Sequence, residues 1–265
     1  MSTPQYDGNY RNFKTSLYEE IRREAFGEDI GQNSWVTADE QDKFISWLGL
    51  AVSKSLLDVA CGAGGPVLRI AVLTGCNVTG ADVHENAIST ARSLVSERSL
   101  ESRAEFRVTD ACRQLPFSEA SFDAITCIDA INHLPDRQRV LADWVRLLKP
   151  GGRVLFTDPT VVTGPLSSVE IAVRSSSGFY LFVPRGYDER IIAECGLRLF
   201  VCEDRTSNMA EIAERRKNAR ESRSSALRGI EGDASYESQQ AFLSLAANLA
   251  REGRLSRFVY VAEKA

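Results

Sequence analysis

Only two histidines occur among the 265 residues, and no two of the six cysteines form a C-x-x-C pair. A zinc or iron–sulfur centre therefore has little to build on, and no metal is expected. Cys61, Cys76, Cys112, Cys127, Cys195 and Cys202 sit mostly in apolar runs, which suits small core side chains in a reducing cytoplasm better than disulfides. No apolar run approaches the roughly 18 residues of a membrane span. The opening Met1-Ser2-Thr3-Pro4-Gln5-Tyr6-Asp7-Gly8 has no apolar signal segment, which argues against export. Positive charge is not in excess: 32 Lys and Arg against 36 Asp and Glu leave a net charge of -4, so no nucleic-acid-coating surface is expected. Repeats and low-complexity tracts are absent too. The chain length suits one large α/β domain with decorations.

The front of the chain reads as helical. Phe13, Leu17, Ile21 and Ala25 recur at helical spacing and predict an amphipathic helix over Tyr10 to Phe26, a candidate surface for homodimer pairing. A loop from Gly27 to Trp35 follows. Thr37 is placed to cap a second helix, with Glu40 completing a capping box. Residues 1–50 thus form a helical cover or lid ahead of the main sheet.

From Ser53 strands and helices alternate. Strands are predicted at Ser55 to Val59, Asn77 to Gly80, Ala104 to Val108, Phe122 to Ile128 and Arg153 to Thr157, with helices at Val67 to Thr74, Glu85 to Arg98 and Arg137 to Leu148. Lys149-Pro150-Gly151-Gly152 reads as a stop and turn. The continuous apolarity of Phe122 to Ile128 is that of a strand buried on both faces. The pattern predicts a doubly wound, mostly parallel α/β sheet. Beyond Asp158, two covering insertions are expected, at 159–186 and at 207–250. The second is read as two helices, divided near Gly229 and Gly232, between a strand at Leu197 to Cys202 and a last strand at Ser256 to Ala262.

The richest stretch is Leu56-Leu57-Asp58-Val59-Ala60-Cys61-Gly62-Ala63-Gly64-Gly65. An apolar strand stops at an aspartate and enters a run of small residues, through which backbone N–H groups can approach a ligand. Further acids stand at successive strand ends: Asp82, Asp110 and Asp129. In an open parallel sheet these ends share one rim beside the switch point. An acid after the second strand can accept from ribose hydroxyls, and one after the third from an exocyclic adenine amine. Dehydrogenases use a similar slot, but G-x-G-x-x-G fails here because Val67 occupies the last position. A carboxylate ahead of the loop would repel a pyrophosphate and favours a ligand with a positively charged amino-acid end.

With these residues in place, the chain resembles the class I S-adenosylmethionine-dependent methyltransferases, across about residues 50–206 and the last strand. Asp58 to Gly65 matches the first motif, with Ala60 where glycine is usual. Gly80-Ala81-Asp82-Val83 matches the ribose motif and Thr109-Asp110-Ala111 the adenine motif. Ser121 to Ile125 and Leu147 to Gly152 match the later pair. The resemblance implies a seven-stranded, Rossmann-like sheet. It implies an S-adenosyl-L-methionine seat at Asp58, Ala60, Gly62, Gly64, Asp82, Val83, Asp110, Ala111, Cys127 and Asp129, with Gln32 and Trp35 on the closing segment. Asp129-Ala130-Ile131-Asn132-His133-Leu134 resembles the small-molecule branch, including the phosphoethanolamine and glycine/sarcosine N-methyltransferases. There His133 is expected to position substrate or accept its proton, with Tyr18 as a candidate dyad partner. His84 is expected on the ribose side.

Arginines and tyrosines of the covering segments, among them Arg174, Arg185, Arg205, Arg215, Tyr180, Tyr187 and Tyr236, are candidates for binding an anionic or aromatic methyl acceptor. The charged run around 215–223 is read as a solvated helix face. Nitrogen is the favoured acceptor atom, with oxygen, sulfur and carbon open. A protein or RNA methyltransferase of the same fold stays open, although Cys127-Ile128-Asp129-Ala130 lacks the Asn/Asp-Pro-Pro-aromatic signature. So does a non-catalytic S-adenosylmethionine-binding protein.

Overall fold

The structure, a computed structural model, describes residues 4–265, so residues 1–3 of the expected lid lie outside it. The front segment does not run as one helix. It forms α1 (Pro4–Arg11) and α2 (Ser16–Phe26). Between them the Gly8 carbonyl accepts both the backbone N–H and the side-chain amide of Asn12, and the Asn12 carbonyl both the N–H and the hydroxyl of Thr15, so a polar turn joins the two helices. Then α3 (Ala38–Leu48) begins at Thr37, whose hydroxyl accepts from the Glu40 N–H. The capping box is only half formed, because the Glu40 carboxylate turns inward to Arg257.

The alternating core follows as β1 (Ser55–Val59), α4 (Gly65–Thr74), β2 (Asn77–Asp82), α5 (Glu85–Glu97), β3 (Ala104–Val108), β4 (Phe122–Cys127), α6 (Arg137–Leu147) and β5 (Leu148–Val162). Lys149 to Gly152 does not end the structure before β5. It enters the strand as a bulge, where pairing with β4 shifts between Phe122↔Leu148 and Ala124↔Arg153. Next come α7 (Ser168–Arg174), the two-residue β6 (Val183–Pro184), α8 (Tyr187–Glu194) and β7 (Leu197–Asp204). The second insertion has three helices rather than two: α9 (Thr206–Glu221), α10 (Ser224–Glu231) and α11 (Asp233–Arg251). Gly229 lies inside α10, and it is Gly232 that separates α10 from α11. β8 (Leu255–Lys264) closes the chain.

The main sheet has the strand order β3-β2-β1-β4-β5-β8-β7, with β6 paired beside the end of β5. Only β8 runs antiparallel to its neighbours. This is a mostly parallel, doubly wound α/β architecture, and its order reverses between β1 and β4. Each face of the sheet carries an apolar layer. One includes Leu57, Ile125, Trp144, Phe156 and Tyr260, and the other Leu56, Val67, Ile88, Leu155 and Val261. Burying each such Leu or Ile is worth about 1.5–3 kcal/mol, which fixes the register that lines up the strand ends. Inside the first layer, the wholly buried Arg137 donates to Asp158 at 2.6 Å and Asp188 at 2.8 Å, tying α6 to β5 and α8. Among the described residues, no helix is long and apolar enough to cross a membrane.

The first residue after β1 carries visible strain. Ala60 has φ +57°, in the left-handed region that disfavours a Cβ. Ala60→Gly should therefore raise unfolding stability by about 0.5–1 kcal/mol, less the extra chain entropy that glycine brings. Denaturant melts of the two proteins check this, and a destabilised variant would show that the Ala60 methyl makes contacts worth more than its strain.

Candidate functional site

Because β1 and β4 are adjacent and the strands are parallel, Asp58, Asp82 and the residues after β4 meet on one rim. Asp58 is buried and accepts from the Thr126 hydroxyl at 2.7 Å. Burial, followed by the repulsion of Asp82, raises its carboxyl to about 7 against the help of Thr126. Asp82 accepts the Gly62 N–H at 2.8 Å and the His84 N–H at 2.9 Å, and burial pushes its carboxyl up as well. Among the described residues, neither acid has a lysine or arginine partner. Gly62 and Gly64 both have positive φ, and a Cβ on Gly62 would come within 2.8 Å of the Tyr10 hydroxyl. Glycine there lets the aromatic face of α1 close on the loop. Tyr6, Tyr10 and His84 form an aromatic cluster over it, with ring centroids 5.6–6.4 Å apart.

Asp110 caps its own turn, accepting from Cys112 N–H at 2.9 Å, and stays partly exposed beside Ala111. Val83 is half-buried next to Asp82. Cys127 departs from expectation: its side chain is buried in the apolar layer, where burial raises the thiol, and it does not face the crevice. Gln32 is also turned to a local task. Its amide accepts from Ile30 N–H and donates to the Glu28 carbonyl, shaping the front loop. Asp129 is fully engaged, accepting from Arg257 at 2.6 Å, from the Thr157 hydroxyl at 2.7 Å and from the Trp35 N–H at 2.8 Å. It anchors the cover rather than presenting a free carboxylate.

Behind this rim lie two adjoining cavities of about 50 Å³ each, which share Asn9, Asn33, Arg216 and Gln239. The first is also lined by Tyr6, Trp35, Asn132, Arg174, Tyr180 and Phe242. A wider groove of about 860 Å³ runs along α5 past Arg92 and Val108, but it is open and holds none of the strand-end acids.

His133, on a single 3-10 turn after β4, stands beside the first cavity. Its Nδ1 donates to the Phe179 carbonyl at 2.8 Å, which leaves the lone pair on Nε2, 3.3 Å from the Tyr6 hydroxyl. The chain continues from Tyr6 to Tyr180 at 3.4 Å and from Tyr180 to Ser177 at 2.9 Å. Burial, with the nearby Arg174 charge, depresses the imidazole to about 4. The phenol beside His133 is therefore Tyr6. Tyr18 lines the second cavity instead, with its hydroxyl donating to Glu231 and its pKa raised by burial.

The acceptor candidates divide. Arg174 and Tyr180 line the cavity. Tyr187 packs against the main core with Arg190 over its ring. Tyr236 is buried with Ile21 and Leu227 beneath Arg220 and Arg228. Arg205 pairs with Glu203 and Glu40, Arg185 with Glu189, and Arg215 with Glu211. Sequence reasoning missed Tyr6, Asn132, Phe242 and Arg216. Arg216 sits in the run read as a solvated face, yet it turns inward over Trp35 at 5.4 Å.

Comparison with known proteins places this geometry. Residues 57–156 match the family model described as a methyltransferase domain. Methyltransferase GfsG of Streptomyces halstedii is 40% identical over 126 residues, which is 48% of this chain and 45% of that protein. The chain spans about half the length of the curated relatives it matches. Among solved structures, Haemonchus contortus phosphoethanolamine N-methyltransferase 2, in complex with phosphomonomethylethanolamine and S-adenosylhomocysteine, superposes with a TM-score of 0.81 at 22% identity. That match covers 99% of this chain and 61% of the other. The Mycobacterium tuberculosis cyclopropane synthase MmaA2 superposes at 0.81 with 19% identity over 99% of both chains. At such identities these two likenesses are of fold.

The state of His133 is directly measurable. Its imidazole should remain neutral from pH 8 to about pH 5 and titrate near 4 in an NMR titration of the two histidines. Because the unfolded imidazole binds its proton near 6.5, this group's contribution to stability is complete above that pH. It is lost as the pH falls toward 4. Unfolding of the native protein and of His133→Gln at pH 7 and pH 4.5 isolates this dependence, and a His133 midpoint near 6.5 would sink the assignment.

Proposed function

We propose that this chain, whose residues 57–156 match a methyltransferase domain, transfers a methyl group from S-adenosylmethionine to a small metabolite. One observation carries the reading: two buried carboxylates, with no lysine or arginine partner among the described residues, flank a glycine loop, and a polar cavity lies behind them beside a neutral histidine. The donor chemistry fits the cofactor. Asp58 would complement an ammonium group, Asp82 keeps lone pairs for ribose hydroxyls, and Asp110 stands where an adenine amine would lie. Gly62 and Gly64 keep the loop thin, and Val83 and Ala111 offer half-buried apolar contact. When bound, S-adenosylmethionine supplies an activated methyl on a sulfonium sulfur.

The chain's own residues then have to orient a nucleophile and exclude water. The cover supports exclusion: α1 and the loop through Trp35 close the cavity from the front, and α7, α9 and α11 from the other side. His133 Nε2 would accept a hydrogen bond from the acceptor's N–H or O–H, directly or through Tyr6. Its low basicity suits holding the acceptor in place more than storing its proton. The residues 1–50 then act as a lid on a 51–265 catalytic unit. A small acceptor fits a cavity of about 50 Å³ better than a protein or RNA segment would, and six free thiols suit a reducing cytoplasm.

Titration calorimetry should show S-adenosylhomocysteine binding and no comparable NAD signal. Near pH 7, where Asp58 is about half protonated, an ammonium partner should displace about half a proton, visible as a difference between buffers of unlike ionisation enthalpy. Asp58→Asn should weaken binding about tenfold and abolish that proton release. Tight NAD binding without S-adenosylhomocysteine binding would overturn the reading.

A further inference from the structure

Among the described residues five arginines are buried, and four have a carboxylate: Arg22 has Asp29, Arg137 has Asp158 and Asp188, Arg220 has Glu231, and Arg257 has Asp129 and Glu40. The fifth does not. Arg174 ends α7 at 1% exposure, and its Nε and Nη1 have no hydrogen-bond partner. A guanidinium sealed without a counter-ion is costly, so its retention in a folded core asks for an anion from outside the chain.

The surroundings hold the charge without neutralising it. The Arg174 guanidinium lies over Phe242 at 4.5 Å and over Tyr180 at 5.7 Å. Phe242 stacks on Trp35 at 6.2 Å and 10°, and Arg216 lies over the Trp35 ring at 5.4 Å. The two arginines thus bracket an aromatic pair, and both line the first cavity. Contact with a ring face engages the π side of a guanidinium and leaves its N–H edge for acceptors in its plane. Arg216 has no ion-pair or hydrogen-bond partner among the described residues, and burial holds its pKa down to about 10, with Arg220 adding repulsion. Asn132, buried in the same wall, leaves both amide atoms unpartnered. The one acid there, Asp129, already accepts from Arg257, Thr157 and Trp35. Among the described residues the cavity therefore presents cationic donors and no unengaged carboxylate.

We propose that this cavity binds the anionic group of the methyl acceptor, a carboxylate or phosphate held by the N–H edges of Arg174 and Arg216. The inference rests on the methyl-transfer reading and narrows its substrate class to compact anions. Tyr180 links the two parts of the site, since its ring stands edge-on to His133 at 4.5 Å. An acceptor held by its anion at the arginines would extend its reactive atom toward His133 and Tyr6.

The test uses the full chain saturated with S-adenosylhomocysteine and titrated with inorganic phosphate or with acetate at fixed ionic strength. One of the two should saturate, and which one identifies the source of the anion. Arg174→Met and Arg216→Met should each weaken that binding at least tenfold, with Arg174→Lys retaining part of it. S-adenosylhomocysteine affinity should stay within threefold, and Arg174→Met should melt no lower than the native protein, because it removes an unpaired buried charge. If Arg174→Met does not fold, Arg216→Met decides alone. Failure of both anions to bind, or equal binding by the variants, overturns the proposal. So does a loss confined to S-adenosylhomocysteine affinity, which would assign the arginines to the cofactor's own carboxylate. Failure of S-adenosylhomocysteine to bind at all defeats the methyl-transfer reading instead, while the same anion titrations on the unloaded protein still judge the arginines.

Discussion

A guanidinium sealed inside a protein has to be met by negative charge, and Arg257 is met from two distant parts of the chain. It stands on β8, wholly buried, and donates to Asp129 after β4 and to Glu40 on α3. The network spreads from there. Asp129 receives the Trp35 N–H of the front loop and the Thr157 hydroxyl of β5, and Asn208 on α9 donates to both Glu40 and the Trp35 carbonyl. Sheet, front cover and helical insertion therefore share one set of buried polar atoms. Such a network contributes little net stability over an apolar replacement, but losing one partner strands the others and costs about 3–5 kcal/mol. It specifies one closed arrangement of the cover.

That arrangement creates a site with opposite imbalances at its two ends. At the strand ends, Asp58 and Asp82 are buried acids with no lysine or arginine partner among the described residues. Under the cover, Arg174 and Arg216 are guanidinium groups with no carboxylate partner among the described residues. The protein has matched its other buried arginines with acids, so these surpluses are local rather than a general property of the core. Between them, His133 is kept neutral and its tautomer is set by the Phe179 carbonyl. A ligand pair with a cationic end and an anionic end would relieve both imbalances at once.

The parallel sheet was legible because its strands are short apolar runs and its turns are written in glycine and aspartate. The register follows from burial on both faces, so Asp58, Asp82 and Asp110 could be assigned to strand ends before any coordinates. Other local signals misled. Phe13 to Ala25 keeps a helical period, although Phe13 lies in the turn between Arg11 and Ser16. Lys149 to Gly152 has turn composition, yet pairing with β4 on either side of it draws it into β5 as a bulge. The Glu40 position suits a capping box, but a buried arginine 217 residues away claims its carboxylate.

Sequence by itself determined the fold class, the glycine loop and the acids of the rim, since each rests on a periodicity or a turn within a few dozen residues. Tertiary structure alone decided which side chains share the cavity. Tyr6, Asn132, Arg174, Arg216 and Phe242 come from five separate elements or turns and meet only after the cover docks. Nothing in a window around Arg216 separates it from its exposed neighbour Arg215, because the two differ by one helical step of about 100°. Which of them faces water and which faces the cavity depends on how α9 packs against α2 and α11.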